Sequence, residues 1–153
     1  SRAEAAVADL PAAVLFACGW NSIRSPMAEA LLKHYHGHSI YVDSVGVRER
    51  EVDGFAVAAL MEMGLDLSGH RGKTFDQLED TSYDLVITLS PEAQHRAMEL
   101  TRTMSCEVEY WQTFDPTVIE GDREARLDAY RELRQYLIRR VLERFPLAPG
   151  PSI

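Results

Sequence analysis

Cysteine is scarce. Cys18 and Cys106 are the only two in 153 residues, and no CxxC or Cys/His cluster occurs at metal-ligand spacing, so neither a disulfide framework nor a zinc site is indicated. That usage fits a reducing, cytoplasmic setting. Long apolar runs are also missing. No stretch approaches the roughly 20 residues of a membrane span, and the Ala-rich stretch 5–17 is broken by Asp9 and Pro11 with no charged run before it, unlike a signal peptide. Positive charge is in deficit: 16 Lys and Arg against 24 Asp and Glu give a formal net charge of -8, which argues against nucleic acid and anionic membrane as partners. Any anion-binding site must therefore be local. Internal repeats and low-complexity tracts are absent as well.

What remains is ordinary globular material, 46% hydrophobic and 26% charged, in a length that suits one domain. We expect a lead-in segment over 1–11, open to disorder, a domain over 12–146 and a tail over 147–153. The run 13–17 (AVLFA) is apolar at every position, the pattern of a strand covered on both faces of a parallel sheet. A polar turn over 19–25 and a helix entered at Pro26 follow, with Met27, Leu31 and Tyr35 four apart and Gly37 at the end. Further strands are predicted at 40–44, 84–89 and 107–111, and helices at 56–63, 91–102 and 122–145. The last helix carries Leu127, Tyr130, Leu133, Leu137, Val141 and Phe145 at helical intervals. Strands alternating with helices predict an α/β fold: a single four-stranded parallel sheet with helices on both faces and ligands at the carboxyl ends of its strands.

Cys18-Gly19-Trp20-Asn21-Ser22-Ile23-Arg24-Ser25-Pro26 lies at such an end. A curled turn there would aim successive backbone N–H groups at one point, with the positive end of the following helix dipole behind them, and would cradle phosphate or another tetrahedral oxyanion. The same field favours a nucleophilic thiolate at Cys18. Arg24 offers a permanently charged planar fork for two phosphoryl oxygens. Taken alone, Cys-x5-Arg is explained by a small buried residue ending a strand and an ordinary surface cation. Two features shift the balance: a cation at a helix N-terminus has the unfavourable sign for the dipole, and polar turns at strand carboxyl ends are where sites form. Asn21 suits the left-handed backbone such a turn needs.

VLFACGWNSIRSPMAEALL resembles the amino-terminal motif of the low-molecular-weight protein tyrosine phosphatases and their arsenate reductase relatives, Cys-x-Gly-Asn-x-x-Arg-Ser followed by Pro-Met-Ala-Glu-Ala. The likeness continues through DSVGV at 43–47, GLDLSGHRGKTF at 64–75, DLVITLS at 84–90 and DP at 115–116. The resemblance implies Cys18 as nucleophile, Arg24 as phosphate clamp, residues 19–24 as the phosphate-binding loop, and Asn21, Ser25, Ser44 and His70 as its hydrogen-bonded supports. It implies Asp115, ahead of Pro116, as the proton donor to the leaving group and then the activator of water. The dipeptide Asp-Pro alone would read as a turn. Ser25 has two competing roles, stabilising the departing thiolate or capping the helix. No metal or organic cofactor is implied, and the implied substrate is a phosphotyrosine protein or a small aryl phosphate.

The chain departs from that pattern at several points. Trp20 stands where Gly is usual, Ile23 where a second loop cysteine is usual, and Thr117 where many members continue with tyrosine. The segment 47–52 lacks the aromatic residue that commonly walls the pocket, although Arg48 or Arg50 could attract an anionic substrate; Trp20 either projects as that wall or turns inward to fill core. Arsenate reduction is the rival within the fold, but Ser90 stands where one of its further cysteines would be, and Cys106 is expected buried near the start of the fourth strand. A noncatalytic binder of phosphorylated ligands is the third reading.

Overall fold

In the computed structural model of the protein, residues 9–79 and 82–148 are described; most of the lead-in (1–8) and the end of the tail (149–153) lie outside them. Four strands, β1 (Ala13–Cys18), β2 (Tyr41–Gly46), β3 (Leu85–Thr88) and β4 (Glu107–Tyr110), form one sheet in the order β2-β1-β3-β4, every pair parallel. Four α-helices connect and follow them among the described residues: α1 (Arg24–His36), α2 (Gly54–Met61), α3 (Pro91–Leu100) and α4 (Arg123–Arg144).

The unbroken apolar character of β1 follows from coverage on both sides. Val14, Phe16 and Cys18 face a larger core built with α1, α2 and α4, while Leu15 and Ala17 face a smaller one against α3. Each fully buried Leu or Phe contributes roughly 1.5–3 kcal/mol. On α4, Leu127, Tyr130, Leu133, Leu137 and Val141 form a single buried stripe, closed by buried Phe145.

Most boundaries shift by one or two residues from the sequence expectation, and three of the shifts have a plain local reason. β2 runs to Gly46 because its pairing with β1 continues to Cys18 opposite Gly46. α2 begins earlier, at Gly54, because the Asp53 side chain accepts from the amides of Phe55 and Ala56 and so caps the helix. α1 begins at Arg24 rather than Pro26, with Met27 N–H donating to Ile23 carbonyl at 3.0 Å. Leu10, from the lead-in, packs on the larger core.

Strand order decides where a site can form. The chain leaves β1 toward β2 on one side and returns to β3 on the other, so the turns after β1 and β3 diverge and open a crevice at the carboxyl edge. Because all strands are parallel, the segments after Cys18, Gly46, Thr88 and Tyr110 meet at that same edge.

Candidate oxyanion site

The turn after β1 closes on itself: Cys18 Sγ lies 2.9 Å from Ser25 Oγ, seven residues on. Asn21 makes the closure feasible. It has φ 54°, the one positive value at a non-glycine residue among the described residues, a backbone state that Asn tolerates better than most. Three of the turn's carbonyls tie it to the segment after β2: Cys18, Gly19 and Ser22 accept from the amides of Val47, Arg48 and Asp53 at 3.1, 2.8 and 3.0 Å. Its amides from Gly19 to Ser25 have no acceptor among the described residues, which leaves a row of donors for an oxyanion. Gly46 permits the close approach, since a Cβ there would fall 2.7 Å from the Asn21 nitrogen and 2.3 Å from the Arg48 oxygen.

Asn21 is fully buried and uses its whole hydrogen-bonding capacity. Nδ2 donates to Ser25 Oγ and Ser44 Oγ, both at 2.9 Å. Oδ1 accepts from the Lys73 amide at 3.0 Å and meets His70 Nε2 at 3.1 Å. The Lys73 amide can only donate, so the atom facing it is the oxygen, and His70 must then carry its proton on Nε2. Burial holds the His70 imidazole below its ordinary range, opposed by the nearby Glu29 carboxylate, which agrees with a neutral ring donating from Nε2. The supports expected at Asn21, Ser25, Ser44 and His70 are thus one connected set.

Glu29 and Lys73 belong to that set as well, and no local sequence pattern marks either as a support. Glu29, buried one turn into α1, accepts from Ser44 Oγ at 2.5 Å through Oε1 and pairs with Lys33 through Oε2. The one sequence cue was its place in the matched stretch 26–30. Lys73 contributes its backbone amide, which no side-chain pattern could flag.

Arg24 stands at the other wall. Its Nη1 donates to the carbonyls of Thr113, at 3.0 Å, and Leu89, at 3.3 Å, so two backbone groups from the segments after β4 and β3 aim the guanidinium. Asp115 follows in the first of these. Its Oδ1 accepts from the Thr117 amide at 2.9 Å and hydroxyl at 2.7 Å, capping a 3₁₀ turn over Pro116–Val118. Burial raises the Asp115 carboxyl, but the two Thr117 hydrogen bonds and the charges of Arg24 and Arg50 outweigh it and hold the group below the ordinary carboxylate range. The segment is steadied by Tyr136 on α4, whose hydroxyl donates to the Gln112 carbonyl. The turn and the catalytic reading of Asp-Pro are therefore compatible, because Oδ1 does the capping and Oδ2 accepts no hydrogen bond among the described residues.

The departures also find their places. Ile23 is buried in the larger core, so only its backbone belongs to the turn. Trp20 does not fill core; it projects, 38% exposed, with the guanidiniums of Arg48 and Arg50 4.5 and 4.8 Å from its ring centroid. Ser90 caps α3 by accepting from the Ala93 amide. Cys106, expected buried, is only partly so: it sits just ahead of β4 against the smaller core, and burial pushes its thiol up. Val14 pairs with Leu85 and Leu85 with Glu107, so Cys106 lies one residue before that level and Cys18 four beyond it. The two sulfurs are separated by about 16 Å along the strands alone, at roughly 3.3 Å per residue, far beyond disulfide reach.

Fold and turn together define the class: a parallel α/β domain with a closed strand–turn–helix edge, where a cysteine and an arginine flank a row of amides shaped for a tetrahedral oxyanion. The profile of the low molecular weight phosphotyrosine protein phosphatases matches residues 13–143, and the chain belongs to that family. The arsenate reductase of Halalkalibacterium halodurans is 35% identical over 129 residues, 84% of this chain and 91% of that protein. That of Bacillus subtilis is 29% identical over 130 residues, 85% of this chain and 92% of that one. The structure of an arsenate reductase in the phosphate binding state superposes with TM-score 0.67 at 29% identity, covering 86% of this chain and 95% of that one. The tyrosine phosphatase Wzb from Escherichia coli K30 in complex with sulphate shares the fold, with TM-score 0.66 at 24% identity over 88% of this chain and 99% of that one. Among the described residues no helix is long and apolar enough to cross a membrane, and no three His, Cys, Asp or Glu are grouped to hold a metal.

Proposed function

We propose that the chain is a phosphomonoester hydrolase, with a phosphotyrosine protein or small aryl phosphate as substrate. The observation that carries this reading is the closed turn, with Cys18 Sγ at its base and Arg24 anchored on two carbonyls beside it. In the first step Cys18 sulfur attacks phosphorus in line, and the P–O bond to the leaving group breaks. The amides of residues 19–25 and Arg24 carry the charge that spreads over the equatorial oxygens. Asp115, held low by Thr117, Arg24 and Arg50 but pushed back up by the negative charge of a bound phosphoryl group, delivers its proton to the leaving oxygen. In the second step Asp115 takes a proton from water, which attacks the cysteinyl phosphate and releases phosphate and thiolate.

Ser25 suits both steps. Its hydroxyl accepts from Asn21 and has one proton to give, with Val45 carbonyl at 3.2 Å and Cys18 Sγ at 2.9 Å as the competing acceptors. When the sulfur leaves as thiolate, a hydrogen bond to a full negative charge is the stronger one, so the proton turns toward Cys18.

Arsenate reduction is the second reading, favoured by the names of the curated relatives. Reducing arsenate to arsenite takes two electrons, so a Cys18–arsenate adduct needs a second thiol to attack the sulfur and leave a disulfide. Cys106 lies too far away to be that thiol, which supports hydrolysis over an internal relay; an external thiol would have to serve.

Two assays separate the readings. Phosphate release from p-nitrophenyl phosphate is expected from the wild-type chain, absent in Cys18→Ser and strongly reduced in Asp115→Asn; turnover persisting in Cys18→Ser would overturn the mechanism. Arsenite formation coupled to thioredoxin or glutaredoxin, without phosphate release from the ester, would select the second reading.

A further inference from the structure

Arg50 stands at the rim of the oxyanion turn without a carboxylate partner among the described residues. Its Nε donates to Ser22 Oγ, within the turn, at 3.2 Å, and its guanidinium lies against the exposed Trp20 ring. Arg48 lies against the same ring but is neutralised, donating to both carboxylate oxygens of Glu92 at 2.9 and 3.0 Å. Arg50 is also fixed in place by its backbone. The hydrogen bonds from Val47, Arg48 and Asp53 zip its segment to the turn, and the 70–72 turn packs so closely behind it that a Cβ at Gly72 would fall 2.6 Å from its carbonyl oxygen. Its charge reaches the Asp115 carboxylate together with that of Arg24. The flanking Glu49 and Glu51 are exposed, with no ion pair to it.

Resting on the hydrolase reading above, we infer that Arg50, braced by Trp20, selects phosphomonoesters whose leaving group carries a second anionic group, a carboxylate or another phosphate, beside the ester. Arg24 and the turn amides are engaged by the transferred phosphoryl group, so an added anion on the leaving-group side meets Arg50, a cation that touches the turn and has no ion pair among the described residues. Trp20 then acts as a platform that holds a guanidinium in position. A bare aromatic wall would instead reward the ring alone.

The test compares phenyl phosphate with 3-carboxyphenyl phosphate, whose leaving phenols have nearly equal basicity, and with resorcinol bisphosphate as the phosphate arm. In the wild-type chain the anionic substrates are expected to exceed phenyl phosphate in kcat/KM by roughly tenfold at low salt, the scale of one partly solvated charge pair. That ratio should fall toward one in Arg50→Gln, recover partly in Arg50→Lys, and shrink as sodium chloride is raised. A wild-type ratio near one, an unchanged ratio in Arg50→Gln, or a loss that follows Arg48→Gln instead would overturn the assignment. The same pair titrated calorimetrically into Cys18→Ser reads the preference as affinity. Turnover surviving Cys18→Ser would sink the hydrolase reading, while the calorimetric ratio would still judge Arg50 by itself.

Discussion

Replacing Asn21 by alanine should unfasten the oxyanion turn. The side chain is fully buried and makes four hydrogen bonds, to Ser25, Ser44, His70 and the Lys73 amide. Ser25 and Ser44 keep other partners in Val45 and Glu29, and His70 is only half-buried, so their losses are moderate; the Lys73 amide loses its acceptor outright. At about 1 kcal/mol for each net hydrogen bond the loss is about 4 kcal/mol. Holding alanine at φ 54° adds about 1 kcal/mol. The total of about 5 kcal/mol is comparable with the whole stability of many domains. With a urea m-value of about 2 kcal/mol/M, the unfolding midpoint should drop by about 2.5 M. Asn21→Gly relieves the backbone strain but not the hydrogen-bond loss, and should recover only about 1 kcal/mol of it. Urea titrations followed by circular dichroism measure both, and calorimetry with inorganic phosphate should show affinity weakened at least tenfold in whichever variant stays folded. An Asn21→Ala midpoint within about 0.3 M of wild type, against the expected drop of about 2.5 M, would refute the network as the turn's support.

Other outcomes follow from the same geometry. Thr117→Val removes the hydroxyl that donates to the Asp115 carboxylate; a hydrogen bond to the ionised form lowers a carboxyl, so its loss should raise Asp115 and move the alkaline fall of kcat/KM to higher pH, with Thr117→Ser restoring the wild-type profile. His70 is held below its ordinary range by burial, so the unfolded chain binds the proton more readily; stability should rise with pH between the folded value and about 6.5, and His70→Gln should flatten that slope in pH-dependent urea titrations. Arg24→Lys cannot hold the Thr113 and Leu89 carbonyls while presenting a planar fork, and kcat/KM toward p-nitrophenyl phosphate should fall by about 10²–10³.

The legible parts of the molecule were those set by local pattern. The continuous apolar run of β1, the stripe from Leu127 to Phe145 and the Ser90-Pro91 entry to α3 announced themselves because burial on two faces, helical periodicity and helix capping each leave a regular trace. The left-handed Asn21 was foreseeable for the same reason, since few residues accept that backbone. Boundaries set by partners were not: β2 reaches Gly46 only because β1 continues beside it, and the Asp53 cap starts α2 two residues early. Ser44 and His70 lie 23 and 49 residues from Asn21, and only resemblance to a family singled them out.

The sequence by itself determined the alternation of strands and helices, the turn that joins thiol to guanidinium, and the scarcity of cysteine, because these depend on residues that are neighbours along the chain. The tertiary structure decided the rest. Parallel pairing gathered the segments after all four strands at one edge, gave Arg24 its two carbonyl anchors, buried Glu29 behind Ser44, and left Cys106 at the opposite end from Cys18. Contacts between residues tens of positions apart are fixed by strand order and register, and neither is written in any local stretch of sequence.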